Sequence, residues 1–381
     1  MTDAITTLIT DMGKKAREAS RAMLGADPAA KIAALECLAG LLETRQEAIL
    51  AANAQDVDAA VADKLEPAKV DRLRLTPALI AEMAAACRQI AAEPDLVGAL
   101  DEQWVQPNGL LVGRMRIPLG VVAMIFESRP NVTIDSSILC IKSGNAVILR
   151  GGSEALRSNI VLMDLVQEAL AASGLPRDAA QLLPIKDREA VGALCRLDQY
   201  IDVMIPRGGE GLINTVAAQA TMPVLKHDKG VCHAYVDDTA DLALAVPVIV
   251  NSKAQRPSTC NALECLLIHE RLAGELIAAL AGKLQEAGIA VRACAKTLPL
   301  FRRNALDAEA AAPEDFGKEF GALILAVKAV KDMDEALDHI AAHGSRHTEC
   351  VFAADIARVR RFLRQVDASV VLHNASTRLN D

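Results

Sequence analysis

The stretch of this chain best suited to chemistry surrounds Cys260. It runs Asn251-Ser-Lys-Ala-Gln-Arg-Pro-Ser-Thr-Cys-Asn261 and leads directly into the apolar run 262–268. The residues before it have mostly helical character, and Pro257 ends helical geometry at the residue before it. The sequence therefore predicts that Cys260 lies on a short polar loop between a helix and a strand.

Two basic residues of this stretch, Lys253 and Arg256, would favour the thiolate of Cys260, which is the nucleophilic form of a cysteine. Placement and charge thus make Cys260 a candidate nucleophile. The same residues leave open the alternative of a loop cysteine without a chemical role.

Composition excludes several classes of protein. A chain of 381 residues exceeds the usual size of one domain, and its 52% of apolar residues is ample for a buried core. Aromatic residues make up only 2% and the formal net charge is −8, so we expect neither base stacking nor a basic surface for nucleic acid.

The nine cysteines form an odd, scattered set without a Cys-x-x-Cys pair, which favours a reducing compartment over a disulfide framework or a zinc ribbon. The seven histidines show no His-Glu-x-x-His spacing, so no metal site is predicted. The first residues do not resemble a signal peptide, and no apolar run is long enough to span a membrane. We expect a soluble, cytoplasmic protein.

The elements that must position Cys260 follow from periodicity. Up to about residue 100, apolar residues recur at helical spacing, and Thr76-Pro77 is a helix start; we expect a helical scaffold. Beyond residue 119, short apolar runs alternate with helical stretches, which predicts parallel strands with crossover helices, an α/β fold with a doubly wound sheet followed by a second α/β unit. The predicted strands lie near 121–126, 146–149, 181–185, 201–205, 224–226, 231–236, 262–268, 289–293, 322–327, 350–353 and 369–373, and the helices of the first series near 132–142, 154–173, 187–197 and 210–220.

Between these regions the pattern changes. Trp104-Val105 and Leu110-Leu-Val112 have the character of strands, and Pro107-Asn108-Gly109 supplies a turn between them because Asn-Gly tolerates positive φ. This stretch predicts a β-hairpin.

Several motifs resemble the γ-glutamyl phosphate reductase (glutamate-5-semialdehyde dehydrogenase) family of the aldehyde dehydrogenase superfamily, in the family's order and over nearly the whole chain. They are Gln-Arg-Pro-Ser-Thr-Cys-Asn around Cys260, Arg116-Ile-Pro-Leu-Gly-Val-Val, Phe126-Glu-Ser-Arg-Pro-Asn-Val-Thr133, Lys142-Ser-Gly-Asn-Ala-Val-Ile-Leu-Arg-Gly-Gly-Ser-Glu-Ala155, Ile205-Pro-Arg-Gly-Gly209 and Asn374-Ala-Ser-Thr-Arg378.

This resemblance implies an aldehyde dehydrogenase-like fold and the NADPH-dependent reduction of L-glutamyl 5-phosphate to L-glutamate 5-semialdehyde in proline biosynthesis, through a thioester on Cys260. It also implies a homo-oligomer and the upstream glutamate kinase as a possible partner. The alternatives are a cysteine-dependent reductase of another acyl phosphate or acyl thioester, or a truncated, inactive scaffold, because the family continues beyond Ser-Thr-Arg378 with a Gly-rich segment.

The resemblance also implies a domain plan. Residues 1–102 and 119–228 would bind NADP, residues 103–118 would form an oligomerisation hairpin, and residues 229–381 would form the catalytic domain, whose C-terminal end could pack back on the hairpin.

An oxyanion donor is expected after the first strand of the nucleotide-binding domain, where superfamily dehydrogenases place an asparagine. Alignment on the proline gives this position to Ser128, whereas residue type favours Asn131. Both remain candidates.

Cofactor contacts are implied for two strand-to-helix loops and one glutamate. Arg150 is suited to the 2′-phosphate of NADP because its guanidinium binds bidentately, while Glu154 nearby opposes this or caps the next helix. For the loop of Arg207, Gly208 and Gly209 the alternative is a plain turn. For Glu319 the alternative is a solvated surface glutamate without a ligand. The implied cofactor residues are Arg150, Gly151, Gly152, Ser153, Arg207, Gly208, Gly209 and Glu319.

Charge makes Arg129, Lys253 and Arg256 candidates for the anionic groups of the substrate, together with Asn261 beside the cysteine. Hydrolytic aldehyde dehydrogenases place a glutamate ahead of the cysteine to activate water. The matching region 224–230 contains none, which fits reduction, although Asp228 supplies a carboxylate in nearly that place.

Overall fold

The structure is a computed structural model that describes residues 2–226 and 229–380. The chain divides into two compact units, residues 1–227 and 228–381, which we call unit 1 and unit 2. This division follows from compactness and does not show what each unit binds or catalyses. The predicted cofactor-binding, oligomerisation and catalytic domains therefore stay predictions. Within the described residues, no helix combines the length and apolar character needed to cross a membrane.

Helices occupy the first part of unit 1. The predicted start at Thr76 is confirmed: its hydroxyl accepts a hydrogen bond from the N–H of Leu79 at 3.2 Å, and Pro77 occupies the first helical turn. Asp27 begins an earlier helix in the same way, by accepting from the Ala29 N–H at 2.8 Å. The helices are α1 (Thr2–Leu24), α2 (Pro28–Thr44), α3 (Gln46–Ala62), α4 (Pro67–Leu73) and α5 (Pro77–Ala92).

The predicted hairpin is present, with strands β1 (Leu100–Val105) and β2 (Leu111–Met115) pairing antiparallel. Its strands start and end about three residues earlier than the predicted 103–118. Gly109 has φ of +87°, as the Asn-Gly pair predicts. Every residue of both strands is exposed or half-exposed.

Strands and helices alternate in the rest of unit 1, which confirms the predicted α/β pattern. In its described part, four parallel strands form a sheet in the order β5-β4-β3-β6. The predicted strand at 224–226 is only an isolated bridge between Val224 and Met204. The elements are β3 (Val121–Phe126), α6 (Asn131–Lys142), β4 (Ala146–Arg150), α7 (Leu156–Ala172), β5 (Ala180–Leu182), α8 (Glu189–Leu194), β6 (Val203–Arg207) and α9 (Glu210–Gln219).

Both faces of this sheet are covered, because β3 is apolar on both sides. Val121 and Ile125 pack under α1 and α8, whereas Val122 and Phe126 pack under α2, α5, α6 and α7. The chain adds β4 and β5 on one side of β3 and then returns to place β6 on the other. In such sheets, ligands bind at the carboxyl ends of the two strands where the order reverses, so the loops after β3 and β6 are the candidate site in unit 1.

Unit 2 is a second α/β unit, as predicted. In its described part, seven parallel strands form one sheet in the order β10-β9-β11-β8-β7-β12-β13. One face packs against α10 and α11 and the other against α13 and α14. The elements are β7 (Cys232–Val236), α10 (Leu242–Ala254), β8 (Leu263–His269), α11 (Ala273–Glu286), β9 (Ala290–Ala293), α12 (Leu298–Arg303), β10 (Glu309–Ala310), β11 (Ile324–Val330), α13 (Met333–His343), β12 (Thr348–Phe352), α14 (Ile356–Gln365) and β13 (Val370–His373).

Candidate active site

The loop that carries Cys260 is short and is folded by its own hydrogen bonds. It joins the end of α10 at Ala254 to the start of β8 at Leu263, at the amino end of the parallel sheet. The hydroxyl and the N–H of Thr259 both donate to the carbonyl of Arg256, at 2.8 and 3.3 Å. The resulting turn presents Cys260 as an exposed residue, between a helix and a strand as predicted.

Gly230, in the loop before β7, packs directly against this cysteine. A β-carbon at position 230 would lie 1.9 Å from the carbonyl oxygen of Cys260, so a larger residue could fit only if the backbone moved. The Gly230 N–H donates to the carboxylate of Glu319 at 3.0 Å, and Glu319 is half-buried in the loop before β11. Glu319 is therefore held beside the Cys260 loop and is not a freely solvated surface glutamate.

Lys253 does not face the surface near Cys260. Its ammonium and the carboxylate of Glu264 are both fully buried and lie 2.6 Å apart. A cation that is neutralised in this way does not attract a substrate anion. The predicted substrate contact of Lys253 is therefore corrected to a buried ion pair.

This ion pair joins the two ends of the nucleophile loop, since Lys253 lies on α10 and Glu264 on β8. Glu264 also accepts from the N–H of Gly321 at 3.3 Å, which ties the pair to the loop that carries Glu319. Burial raises the pKa of Glu264 to about 7, although Lys253 lowers it. Glu264 thus connects α10, β8 and the loop of Gly321, although burial makes its charged form unfavourable.

Asn261 is also buried. Its carbonyl oxygen accepts from the guanidinium of Arg378, and its amide donates to Asn380 at 3.3 Å. The predicted role of Asn261 as a substrate ligand is corrected to that of a support for the loop. Arg256, by contrast, is exposed as a substrate contact requires.

Cys232 and Cys294 of unit 2 are alternative candidates for the nucleophile. Cys232 donates to the carbonyl of Cys260 at 3.3 Å, and burial raises the pKa of its thiol strongly. Cys294 is half-buried at the carboxyl end of β9, opposite to the Cys260 loop. Burial raises its pKa, but hydrogen bonds from the Thr297 hydroxyl and the Ala329 N–H outweigh this and lower it. Cys294 is therefore the rival to test.

In unit 1, Ser128 lies at the carboxyl end of β3 with φ of 41°, a left-handed conformation that is uncommon for serine. Its N–H and its hydroxyl both donate to the carboxylate of Glu154, at 2.9 and 2.5 Å. The hydroxyl proton of Ser128 is thus committed within the protein, which argues against Ser128 as the oxyanion donor. Glu154 holds this turn and does not cap the helix that follows it.

Asn131 is the first residue of α6 and is half-buried. Its amide donates to the carboxylate of Asp135 at 2.9 Å, which fixes the side chain. Because an amide nitrogen carries two hydrogens, Asn131 retains one donor for a ligand.

The start of α9 holds a carboxylate where the sequence suggested a cofactor phosphate. The Gly209 N–H donates to Glu127 at 3.0 Å, and a β-carbon on Gly208 would lie 2.6 Å from the same carboxylate oxygen. An anion at a helix N-terminus is favourable. A cofactor phosphate that uses this N–H must therefore displace Glu127.

Arg150 ends β4 and is half-buried. Its Nε is buried and, among the residues that the structure describes, has no hydrogen-bond partner. A β-carbon on Gly151 or Gly152 would lie 2.1 Å from Asn159 and 2.2 Å from Glu154, respectively. The close packing of these glycines against Asn159 and Glu154 fixes the loop that carries Arg150, and the contact of its guanidinium with a 2′-phosphate stays a prediction.

Three guanidinium groups gather near the carboxyl ends of β3 and β6. Burial lowers the pKa of Arg129, and so do the positive charges of Arg72 and Arg207. Like charges are brought together at a cost that a bound anion would remove. The anion contacts of Arg129 and Arg207 stay predictions, and Arg72 is a further positive charge close enough to act on Arg129.

Sequence reasoning missed Glu127, Gly230 and Glu264. Each carried a local signal: an acid directly after a buried strand, a glycine just before one, and an acid within the apolar run of β8. Asp228, the carboxylate noted ahead of the cysteine, lies outside the described residues.

The sequence of this chain is similar to a known protein family. The model of the aldehyde dehydrogenase family matches residues 2–297. The chain is 60% identical over 370 residues to the gamma-glutamyl phosphate reductase of Solidesulfovibrio magneticus, which covers 97% of this chain and 88% of that relative.

Solved structures with a similar fold include members of the same family. The crystal structure of gamma-glutamyl phosphate reductase from Thermotoga maritima is 40% identical, with a TM-score of 0.93 over 98% of this chain and 89% of that one. An engineered glycolyl-CoA reductase with bound NADP+ is 17% identical, with a TM-score of 0.63 over 97% of this chain and 88% of that one. At that identity the likeness concerns the fold alone.

Proposed function

Because this chain belongs to the aldehyde dehydrogenase family and, within it, to the γ-glutamyl phosphate reductases, we propose that it catalyses the NADPH-dependent reduction of L-glutamyl 5-phosphate to L-glutamate 5-semialdehyde. Phosphate is released, and the reaction is a step of proline biosynthesis. The observation that carries this proposal is the 60% identity to a reductase of that name. The exposed thiol of Cys260 at the junction of three loops supports the mechanism.

In this mechanism the Cys260 thiolate attacks the acyl carbon of the substrate. A carbon–sulfur bond forms and the carbon–oxygen bond to phosphate breaks, which leaves a thioester and inorganic phosphate. The nicotinamide cofactor, when bound, supplies the hydride that takes the acyl group to the aldehyde level. Cys260 then leaves as a thiolate. The lack of a glutamate in the segment 224–230 supports reduction over hydrolysis.

From the family resemblance we propose Asn131 as the side-chain donor for the oxyanion and the backbone N–H of Cys260 as the second donor. The assignment is supported by the amide hydrogen that Asn131 retains after donating to Asp135. The Ser128 hydroxyl, by contrast, is already used by Glu154.

Replacing Asn131 with alanine should lower kcat by about 10²- to 10³-fold, the usual effect of removing one oxyanion donor, with little change in KM. Ser128→Ala is the matched variant and should lower kcat by less than about tenfold, because it removes only support from the turn. Steady-state kinetics of both variants decides between them. A larger loss in Ser128→Ala would give the role to the serine.

The residues proposed to hold NADP(H) are those implied by the family resemblance. Arg150, which is half-buried at the end of β4, would bind the 2′-phosphate through its guanidinium, next to the backbone of Gly151, Gly152 and Ser153. Arg207, Gly208 and Gly209 would contact the phosphates, and Glu319 the nicotinamide ribose. Each of these contacts is a proposal.

Replacing Arg150 with leucine should raise the KM for NADPH far more than the KM for NADH. Only NADPH carries the 2′-phosphate, and a charge-assisted hydrogen bond of this kind contributes about 1.5–3 kcal/mol. Arg177, an exposed arginine of the same unit, is the control position, and Arg177→Leu should leave both constants unchanged. Equal weakening of both cofactors would mean that Arg150 only supports its loop.

Arg129 and Arg256 are proposed to bind the anionic groups of the substrate. Both are exposed, and the repulsion of Arg129 by Arg72 and Arg207 supports an anion near the first of them. Charge is the basis of both proposed contacts.

The hairpin of β1 and β2 is proposed to build a homo-oligomer. Its apolar side chains are exposed, including Val105 at 68% and Leu111 at 62%, and such a surface is expected to be covered by another chain. The free state of all nine cysteines suits a reducing compartment such as the cytoplasm. An association with the upstream glutamate kinase remains a prediction.

The decisive experiment is the consumption of NADPH with enzymatically generated L-glutamyl 5-phosphate. The reverse reaction, with the semialdehyde and phosphate, gives an independent measurement. Acyl-CoA thioesters and other acyl phosphates serve as competing substrates. Faster turnover of one of these would assign the chain to another cysteine-dependent reductase.

A further inference from the structure

A row of polar side chains crosses the buried centre of the unit 2 sheet. In the strand register, Glu349 of β12 pairs with His233 of β7, and His233 pairs with Cys265 of β8. All three are fully buried. His339 of α13 is 5% exposed and lies over the row, with its Nε2 3.8 Å from the sulfur of Cys265. The proposed reaction uses none of these four residues.

The nitrogens of His233 differ in their surroundings. Its Nδ1 lies 3.2 Å from the carboxylate of Glu349, while its Nε2 is buried and has no partner among residues 2–226 and 229–380. Nε2 is therefore the nitrogen that remains for a ligand. One ring nitrogen each of His233 and His339 and the sulfur of Cys265 all lie within 4.8 Å of one another.

We propose that His233, Cys265 and His339 form a binding site for a transition-metal ion of the Zn²⁺ type. Two imidazole nitrogens and one thiolate are donors that suit such ions, whereas Mg²⁺ and Ca²⁺ bind mainly oxygen donors. Zinc–ligand bonds in a tetrahedral site place the donor atoms about 3.3–3.8 Å apart, so donors that lie within 4.8 Å of one another here would move closer on binding. Glu349 behind His233 supplies the carboxylate that orients a metal-bound histidine.

The main opposition to metal binding comes from Lys328. Its ammonium donates to Nδ1 of His339 at 3.1 Å, which places the proton of the neutral ring on Nε2. An incoming ion must displace this proton, and Lys328 can turn to Glu335, 3.7 Å away. Without metal, His233 keeps only its pairing with Glu349, whose carboxylate lies 3.2 Å from Nδ1.

Cobalt(II) titration of the full chain distinguishes these two states. The Cys260→Ala variant is the background, because it removes the exposed thiol as an adventitious ligand. We expect one equivalent of Co²⁺ to give the near-ultraviolet thiolate-to-metal charge-transfer band and the intense visible bands of a tetrahedral site. Zn²⁺ should displace the cobalt and raise the melting temperature.

Cys265→Ala in this background should abolish the charge-transfer band. Cys350→Ala is the matched control and should retain it, since Cys350 is equally buried but packs on the opposite face of the sheet. Circular dichroism checks the fold of each variant. A band that survives Cys265→Ala, or the absence of any thiolate band, would overturn the proposal.

Lys328→Met tests the site without removing a ligand, at a residue that is partly exposed. Loss of the competing ammonium should tighten Co²⁺ binding by about tenfold or more, the usual scale for groups that contact a ligating histidine. Unchanged affinity in this variant would count against the proposed geometry even if other variants fail to fold.

Discussion

Replacing Cys260 with serine is expected to lower turnover by at least about 10³-fold while the fold is retained, as for removal of a catalytic nucleophile in general. Serine has nearly the same shape, and position 260 is exposed, so the change removes little packing. An alcohol is far less ionised than a thiol near neutral pH and cannot supply the attacking anion. NADPH consumption and thermal melting measure the two parts of this expectation.

Cys294→Ala is the matched control, because Cys294 is the half-buried cysteine whose pKa is lowered. It lies at the carboxyl end of β9, away from the Cys260 loop, and its replacement should leave turnover within about twofold, as for a residue outside the reaction. Loss of activity in Cys294→Ala together with survival in Cys260→Ser would move the nucleophile to the other end of the sheet and refute the proposed mechanism.

Replacing Lys253 with methionine is expected to destabilise unit 2 by about 3–5 kcal/mol at pH 8, because it leaves the buried charge of Glu264 without a partner. Methionine is similar in size, so the loss reflects charge and not a cavity. Urea unfolding followed by circular dichroism measures the change. Activity should fall as well, since the ion pair joins the two ends of the nucleophile loop and Glu264 also holds Gly321.

The sign of the pH dependence follows from Glu264. Burial raises its folded-state pKa to about 7, above the value in the unfolded chain, so the stability linked to its protonated form is lost as pH rises through the folded pKa. Without Lys253 that pKa rises further, and the destabilisation should be smaller at pH 5.5 than at pH 8.

The double variant Lys253→Met/Glu264→Gln removes both charges and is the control. It should recover most of the stability and lose this pH dependence, because replacing a whole buried pair is often neutral. A single variant as stable as the parent at pH 8 would show that the pair is not held as described.

The sequence was sufficient where local pattern determines structure. The switch from helical spacing to alternating runs near residue 119 predicted both α/β units, because strand length and crossover helices are encoded locally. The helix end forced by Pro257 predicted the loop of Cys260 in the same way. Resemblance added roles to residues whose chemistry alone was ambiguous, such as Arg150.

The sequence was insufficient where a side chain meets a partner from a distant segment. Asn261 is held by Arg378, which lies 117 positions away, and Ser128 is held by Glu154, 26 positions away. Lys253 was misinterpreted for the same reason, since charge beside a cysteine suggests exposure until its partner in the next strand is known. A basic residue followed by an acid within an apolar run is the signal that would have indicated the pair.

If a cofactor phosphate binds at the N–H of Gly209, as we propose, it meets a competitor within the protein, because this N–H already donates to the carboxylate of Glu127. A tethered competitor is present at a fixed effective concentration, so every ligand anion that uses this N–H binds with its intrinsic affinity multiplied by the fraction of time the carboxylate is away. Simple anions such as phosphate or chloride gain little from other contacts, so this competition would weaken their binding. A dinucleotide that also engaged Arg150, as proposed, would gain a second contact against the same competitor. Under this proposal Glu127 would favour a dinucleotide over small anions, and dilution of the protein would not change the preference because the carboxylate is part of the chain.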